Sequence, residues 1–222
     1  MTQPPLVLGI DLGTSGVRIA VLGMDGVLHH TQASNYHGSF CDPESWREAC
    51  RELLQAIPNR LQSRLRALAV DGTSGTLLAC DSYGLPLGEA LPYSLACPEV
   101  APLLQGLVGT GNLAQSSSSS SLARALRLIA RYGNEILLRH QADWISGWLL
   151  NNWSWGEEGN NLRLGWDLIT NSWPSSFATQ PWKQTLPDIR RSGSILGTIA
   201  PNQAKALGLA DDLIIVAGTT DS

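Results

Sequence analysis

Three short stretches of this 222-residue chain place an acid beside small, hydroxyl-bearing turns: "DLGTSG" at 11–16, "DGTSGT" at 71–76 and "GTTDS" at 218–222. Successive N–H groups in a glycine-containing turn can form an anion-binding concavity, and the Thr14 and Ser15 hydroxyls add donors beside it. Asp11 would repel a bare phosphate, so its carboxylate suits such a tip when hydrated Mg2+ stands between the two. The same residues also suit a plain hairpin connection, in which Gly13 and Gly16 supply backbone freedom. The first hairpin alone leaves both readings open. In the second turn Asp71 has the residue type that braces a turn through its own side chain. In the third, Asp221 has the residue type of a helix N-cap.

Composition narrows the classes of function. The chain is 43% hydrophobic and 15% charged, which is enough for one large domain or two small ones with a substantial core. A net charge of −4 and scattered basic residues argue against a nucleic-acid partner. No apolar run reaches the roughly 20 residues of a membrane span, and the amino terminus has no basic n-region, so a cytoplasmic protein without a membrane partner is expected. Cys41, Cys50, Cys80 and Cys97 lack paired metal spacing and are expected to be reduced. His29, His30, His37 and His140 form no triad or metal pattern.

The elements that would position the turns can be read from hydrophobic periodicity. Leu6–Ile10 and Val17–Leu22 read as strands around the first tip, and Asp25-Gly26 turns the chain into a third, giving an antiparallel three-stranded meander. Residues 42–58 switch to helical spacing, with Asp42 as cap, Pro43 at the first position and an end near Ala56. Residues 65–87 return to two apolar runs split by the second turn, for an opening order β-β-β-α-β-β. Six serines, Ser116–Ser121, read as a linker whose last member can cap a following amphipathic helix that stops at Gly133. Residues 142–193 hold seven of the eight tryptophans, a density that suits an interior more than individual sugar-stacking rings. Residues 194–222 read as strand, short helix after Pro201, and strand, ending in a Gly-Thr-Thr-Asp-Ser turn.

Taken together, "DLGTSG", "DGTSGT" and "GTTDS", with "ADWISGWL" and "GNNLRLGWDLITNSW" between them, resemble the FGGY carbohydrate kinases. Residues 69–81, "AVDGTSGTLLACD", are similar to the ribulokinase-type and plant or cyanobacterial D-ribulose kinases more than to bacterial xylulokinases. The resemblance implies an α/β fold of the actin-like ATPase (ribonuclease H-like) type, with a mixed central sheet and flanking helices. It implies that residues 1–222 form the amino-terminal sugar-binding domain, with a Trp-rich insertion at about 142–190. The carboxy-terminal ATP-binding domain of that family has no counterpart in these residues. One departure is Leu95, in "PYSLACPE", which stands where many members carry an acid.

By the same resemblance the activity is ATP-dependent phosphorylation of a ketopentose, D-ribulose ahead of D-xylulose, with ATP and Mg2+ as cofactors. Asp221 is implied as the general base toward the sugar hydroxyl. Asp11 would hold Mg2+ through water or touch the sugar, while Thr14 and Ser15 with the amides from Gly13 to Gly16 would hold the γ-phosphate. A polyol stripped of water must regain its hydrogen bonds from protein, and Thr73 and Ser74 are the first candidates. Asp143 reads as a helix cap more than a sugar contact, and Asn160 and Asn161 as loop-ordering residues. Two other functions share this fold: a non-catalytic sugar-binding or regulatory module derived from a kinase, and an actin-like ATPase of another kind. The oligomeric state is left open.

Overall fold

The computed structural model describes residues 3–108 and 113–220. The chain opens with β1 (Leu6–Leu12), β2 (Gly16–Gly23) and β3 (Leu28–Asn35), continues through α1 (Pro43–Ala56) and a single turn α2 (Asn59–Gln62), and returns in β4 (Leu65–Gly72). After β5 (Leu77–Cys80) come α3 (Ala101–Val108), α4 (Leu113–Ser116), α5 (Ser121–Tyr132), β6 (Leu137–His140) and α6 (Gln141–Leu150). Short strands β7 (Trp155–Glu157) and β8 (Asp188–Arg190) bracket an irregular stretch, and β9 (Ile195–Thr198), α7 (Pro201–Leu207) and β10 (Ile214–Val216) follow.

Six strands form one sheet in the order β3-β2-β1-β4-β10-β9. The first three run antiparallel in succession, whereas β1, β4 and β10 are mutually parallel and β9 is antiparallel to β10. Strand alternation sends Leu6, Leu8, Ile10 and Leu12 of β1 to one face, with Val17, Ile19 and Val21 of β2 and Leu68 and Val70 of β4. That face is closed by Trp46, Leu53 and Leu54 of α1, Trp144 and Ile145 of α6, and Leu207 of α7. The other face carries Val7, Gly9, Ala20 and Ala69 in half-buried positions.

Helix α1 follows from local chemistry: the Asp42 side chain accepts from the Glu44 N–H, Pro43 opens the helix, and Trp46, Ala49, Cys50, Leu53 and Leu54 form its buried stripe. Helix α5 is capped by Ser120, one residue earlier than the sequence suggests, with its hydroxyl accepting from the Ala123 N–H. The preceding serines form an ordered turn in which the Ser119 N–H donates to Ser117 Oγ. Gly16 is required not for its backbone angles but for a close approach, since a β-carbon there would lie 2.2 Å from the Ser34 carbonyl.

A second core gathers around Leu77, Leu104, Leu122, Leu138, Phe177 and Trp182, outside the main sheet. Strand β5 leaves that sheet and pairs with β6 instead. Two fully buried arginines hold this region together. Arg124 donates to the carbonyls of Gly75, Tyr93, Leu95 and Ser119, and Arg139 to those of Leu138, Trp153 and Thr185. Desolvation lowers both guanidinium pKa values to about 10, so both remain charged at neutral pH. Among the tryptophans, Trp46, Trp144, Trp148, Trp153 and Trp182 are buried, with Trp144 edge-on to Trp46 and its indole N–H donating to the Gly84 carbonyl.

Among the described residues no helix is long and apolar enough to cross a membrane. All four cysteines are free. Burial pushes the Cys80 thiol up to about 12 and that of Cys50 higher still, keeping both protonated, and Cys97 is buried. A thiol-specific chromophore at pH 8 is therefore expected to label only the half-buried Cys41 rapidly in the folded chain, and all four after denaturation. A second expectation concerns Gly147 in α6, whose added β-carbon would meet the buried Trp153 indole at 2.3 Å. Gly→Ala ordinarily stabilises a helix interior, but Gly147→Ala should destabilise by about 1–3 kcal/mol in urea titrations because the overpacking dominates.

Candidate functional site

The parallel register decides where the three turns meet. Asp11 on β1 pairs directly with Asp71 on β4, and Leu12 with Gly72. Gly72 in turn bridges to Thr220 just beyond β10, whose hydroxyl donates to the Gly72 carbonyl at 3.3 Å. The tips at 13–16, 73–75 and 218–220 thus lie together at the carboxyl ends of three adjacent parallel strands, the edge where open α/β sheets commonly bind ligands. Close approach of β10 to β4 rests on Gly218, where a β-carbon would lie 1.9 Å from the Val70 carbonyl.

At the first tip the Gly13 N–H is spent on the turn itself, donating to the Gly16 carbonyl at 2.9 Å. Among the described residues nothing accepts from the Thr14 or Ser15 N–H, and both residues are exposed. Two outward hydroxyls and two free amides on a glycine-framed turn have the donor chemistry of a phosphate cradle. Asp11 is more than half exposed and faces Arg18 across β1 and β2 at 3.6 Å, a pair too solvated to lock the carboxylate. An accessible acid beside free donors fits a hydrated divalent cation with a phosphate, the set the resemblance implies.

The second turn is built differently. Gly75 takes a positive φ of 87°, and Thr73 is buried. The Thr73 N–H donates to Gln141 Oε1 at 3.1 Å, and its hydroxyl donates to the same oxygen at 2.7 Å and lies 2.8 Å from Thr76 Oγ1. Ser74 is half-buried. Gln141 Nε2 continues the path to the Tyr36 hydroxyl at 3.4 Å, which donates to the Gly13 carbonyl at 2.8 Å. Gln141 and Tyr36 therefore tie the second turn to the first tip. Burial pushes the Tyr36 hydroxyl pKa far above its usual value, so it stays neutral, accepting from Gln141 while it donates to Gly13. Neither residue stands out in the sequence, because one merely ends a strand connection and the other opens a helix.

Asp221 lies outside the described residues, as does Ser222. Asp143 is not the cap of α6: His140 occupies that position, and Asp143 sits in the first turn. Its Oδ1 accepts from the Glu157 N–H at 3.0 Å and its Oδ2 from Asn161 Nδ2 at 3.3 Å. Asn161 also donates to the Glu157 carbonyl at 2.7 Å, which makes it a loop-ordering residue. Asn160 is buried with no partner for either side-chain polar atom among the described residues. At the position where an acid is absent, the Leu95 carbonyl accepts from Arg124 and the side chain packs on the second core.

Beside the three turns, over the open face of the sheet, lies a cleft of about 640 Å3. Its floor is Gly9, Ala20, Ala69 and Val216, and Asp11, Arg18, Asp71, Ser192 and Thr219 are among the polar residues lining it. Ser192 does not stand out in the sequence as a site residue, and the tertiary structure brings it to the cleft.

No protein-family model matches the sequence. The chain is 25% identical over 235 aligned positions to the xylulose kinase of Escherichia coli (strain K12), covering 96% of this chain and 48% of that kinase. Among solved structures, the xylulose kinase from Rhodospirillum rubrum superposes with a TM-score of 0.84 at 18% identity, covering 97% of this chain and 49% of that one. The Plasmodium falciparum glycerol kinase with ADP gives 0.82 at 14% identity, covering 98% and 49%. The chain spans about half the length of the curated relative it matches. It has the fold of one half of these sugar kinases, the actin-like ATPase fold, and is similar in sequence to a xylulose kinase.

Proposed function

We propose that this chain is the amino-terminal, acceptor-binding domain of an FGGY-type carbohydrate kinase that phosphorylates a ketopentose in the cytoplasm. The observation that carries this reading is the convergence of three hydroxyl-rich turns, two of them with carboxylates in register, at the carboxyl ends of β1, β4 and β10. The open cleft beside them and the coverage of half of each relative support a second domain as the other wall.

Mg2+ and ATP, when bound, supply the phosphoryl group and the charge that offsets its oxygens. The chain's own part is binding and proton handling. Thr14 and Ser15 donate to the transferring phosphate from a turn whose geometry is already fixed by the Gly13–Gly16 bond, and Asp11 orients the hydrated cation. Ser74 and the backbone of the second turn face the sugar, with Thr73 holding that turn on Gln141. Asp221 takes the proton of the attacking hydroxyl, a transfer that needs no large pKa shift because proton loss is late in a loose transition state. The sugar is D-ribulose on the likeness of residues 69–81. D-xylulose is the competing reading, on the identity with the xylulose kinase of Escherichia coli.

Calorimetric titration of the chain with D-ribulose, D-xylulose and glycerol tests this reading, with Asp221→Ala as control. Selective pentulose binding, weakened about tenfold or more by the substitution, is expected from loss of a charged hydrogen-bond acceptor. A folded chain that binds no sugar, or an Asp221→Ala variant that binds as well as the parent, would favour an ATPase of other function or a module without this acceptor site. Gln141→Leu should cost about 1–3 kcal/mol in urea titrations, because the buried Thr73 N–H loses its acceptor while the hydroxyl falls back on Thr76 Oγ1. Tyr36→Phe, which frees one carbonyl at a part-exposed position, should cost about 1 kcal/mol.

A further inference from the structure

We propose that Glu157 is the positioning residue for the turn 218–220, which leads directly into the acceptor acid Asp221 on the reading given above. Glu157 ends β7, outside the main sheet, and is 3% exposed. Its Oε1 accepts from the Gly159 N–H at 2.8 Å and from the Ser192 hydroxyl at 2.6 Å, and its Oε2 accepts from the Asn160 N–H at 2.8 Å. A buried carboxylate is costly unless it is hydrogen-bonded, and these three donors engage both of its oxygens without a cation. Its own N–H and carbonyl are also engaged, by Asp143 and Asn161. The carboxylate is therefore held in one place, and the same three bonds hold the Gly159 and Asn160 amides and the Ser192 hydroxyl.

Two routes run from it to the terminal turn. The first passes through Ser192 to its neighbour Gly193, whose N–H donates to the Ala217 carbonyl at 2.8 Å, while the Ala217 N–H donates to the Ser194 carbonyl at 2.8 Å. Ala217 immediately precedes the turn. The second passes through Gly159, where a β-carbon would lie 3.2 Å from both Glu157 carboxylate oxygens and 3.4 Å from Thr220 Cγ2. On its far side Thr220 is fastened to Gly72. The turn is thus gripped between β4 and the Glu157 clamp, and a small movement of either displaces it. Glutamine in place of Glu157 would present an NH2 group to one of the three donors and forfeit at least one bond.

The test is amide hydrogen exchange and carboxyl 13C NMR on the whole chain, comparing the parent with Glu157→Gln and Ser192→Ala. Glu157→Gln should accelerate exchange of the Gly193 and Ala217 amides about tenfold, the effect of losing one charged hydrogen bond, and shift the Asp221 carboxyl resonance, leaving β1 and β2 amides unchanged. Ser192→Ala should reproduce the Ala217 and Asp221 changes while sparing the Asn160 amide. Ser192 is exposed, so its variant folds and decides the matter if Glu157→Gln does not. Unchanged Asp221 and Ala217 signals in a folded variant, or acceleration spread equally over β1 and β2, would overturn the proposal. None of these readouts requires bound sugar, so a failed pentulose titration leaves this result standing.

Discussion

Parallel pairing of β1, β4 and β10 is the constraint on which the rest of the molecule depends. Side chains alternate across a strand with a period of two, so a slip of one residue between β1 and β4 would carry Asp71 to the packed face and Val70 to the open one. The buried rows of Leu8, Ile10 and Leu12 beside Leu68 and Val70 forbid that slip. Because the same register sets Asp11 beside Asp71 and Gly72 beside Thr220, the apolar core on one face fixes the polar arrangement at the strand ends. Gly218 permits β10 to come close enough for the third turn to join.

Around that edge the chain invests buried polar groups rather than more hydrophobic surface. Arg124 reaches from α5 to the carbonyls of the second turn and of the 93–95 segment, and Arg139 does the same for the segments after Trp153 and before Leu186. Neither forms an ion pair within the salt-bridge distance among the described residues, so the direct partners of each are backbone carbonyls. Such a group tolerates one geometry well and others badly, which makes it a device for fixing irregular backbone where neither helix nor sheet can. The tryptophans work alongside: Trp46 meets Trp144, whose N–H is tied to Gly84, and Trp153 packs against Gly84 and Gly147.

The candidate site therefore has a rigid half and an open half. Its rigid half is the Gly13–Tyr36–Gln141–Thr73 path and the Glu157 clamp, which couple turns far apart in sequence through buried and part-buried hydrogen bonds. Its open half is the outward tip at Thr14 and Ser15 and the cleft over Gly9, Ala20 and Ala69.

The opening order of elements, the cap and proline start of α1 and the three acidic, hydroxyl-rich turns were legible in the sequence, because caps, periodicity and turn chemistry depend on residues within one or two turns of each other. The cap of α5 at Ser120 was missed by one residue within a run of identical side chains that offers no local distinction. Asp143 was misplaced as a cap because the sequence does not reveal that Glu157 and Asn161 fold back over it. Tyr36, Gln141, Glu157 and Ser192 could not be found by pattern at all, since each acts on a partner 35 or more positions away or through such a partner. Sequence by itself determined which turns could do chemistry. Only the tertiary structure decided that they share one edge, because strand order follows from burying one face of the sheet against helices drawn from the whole length of the chain.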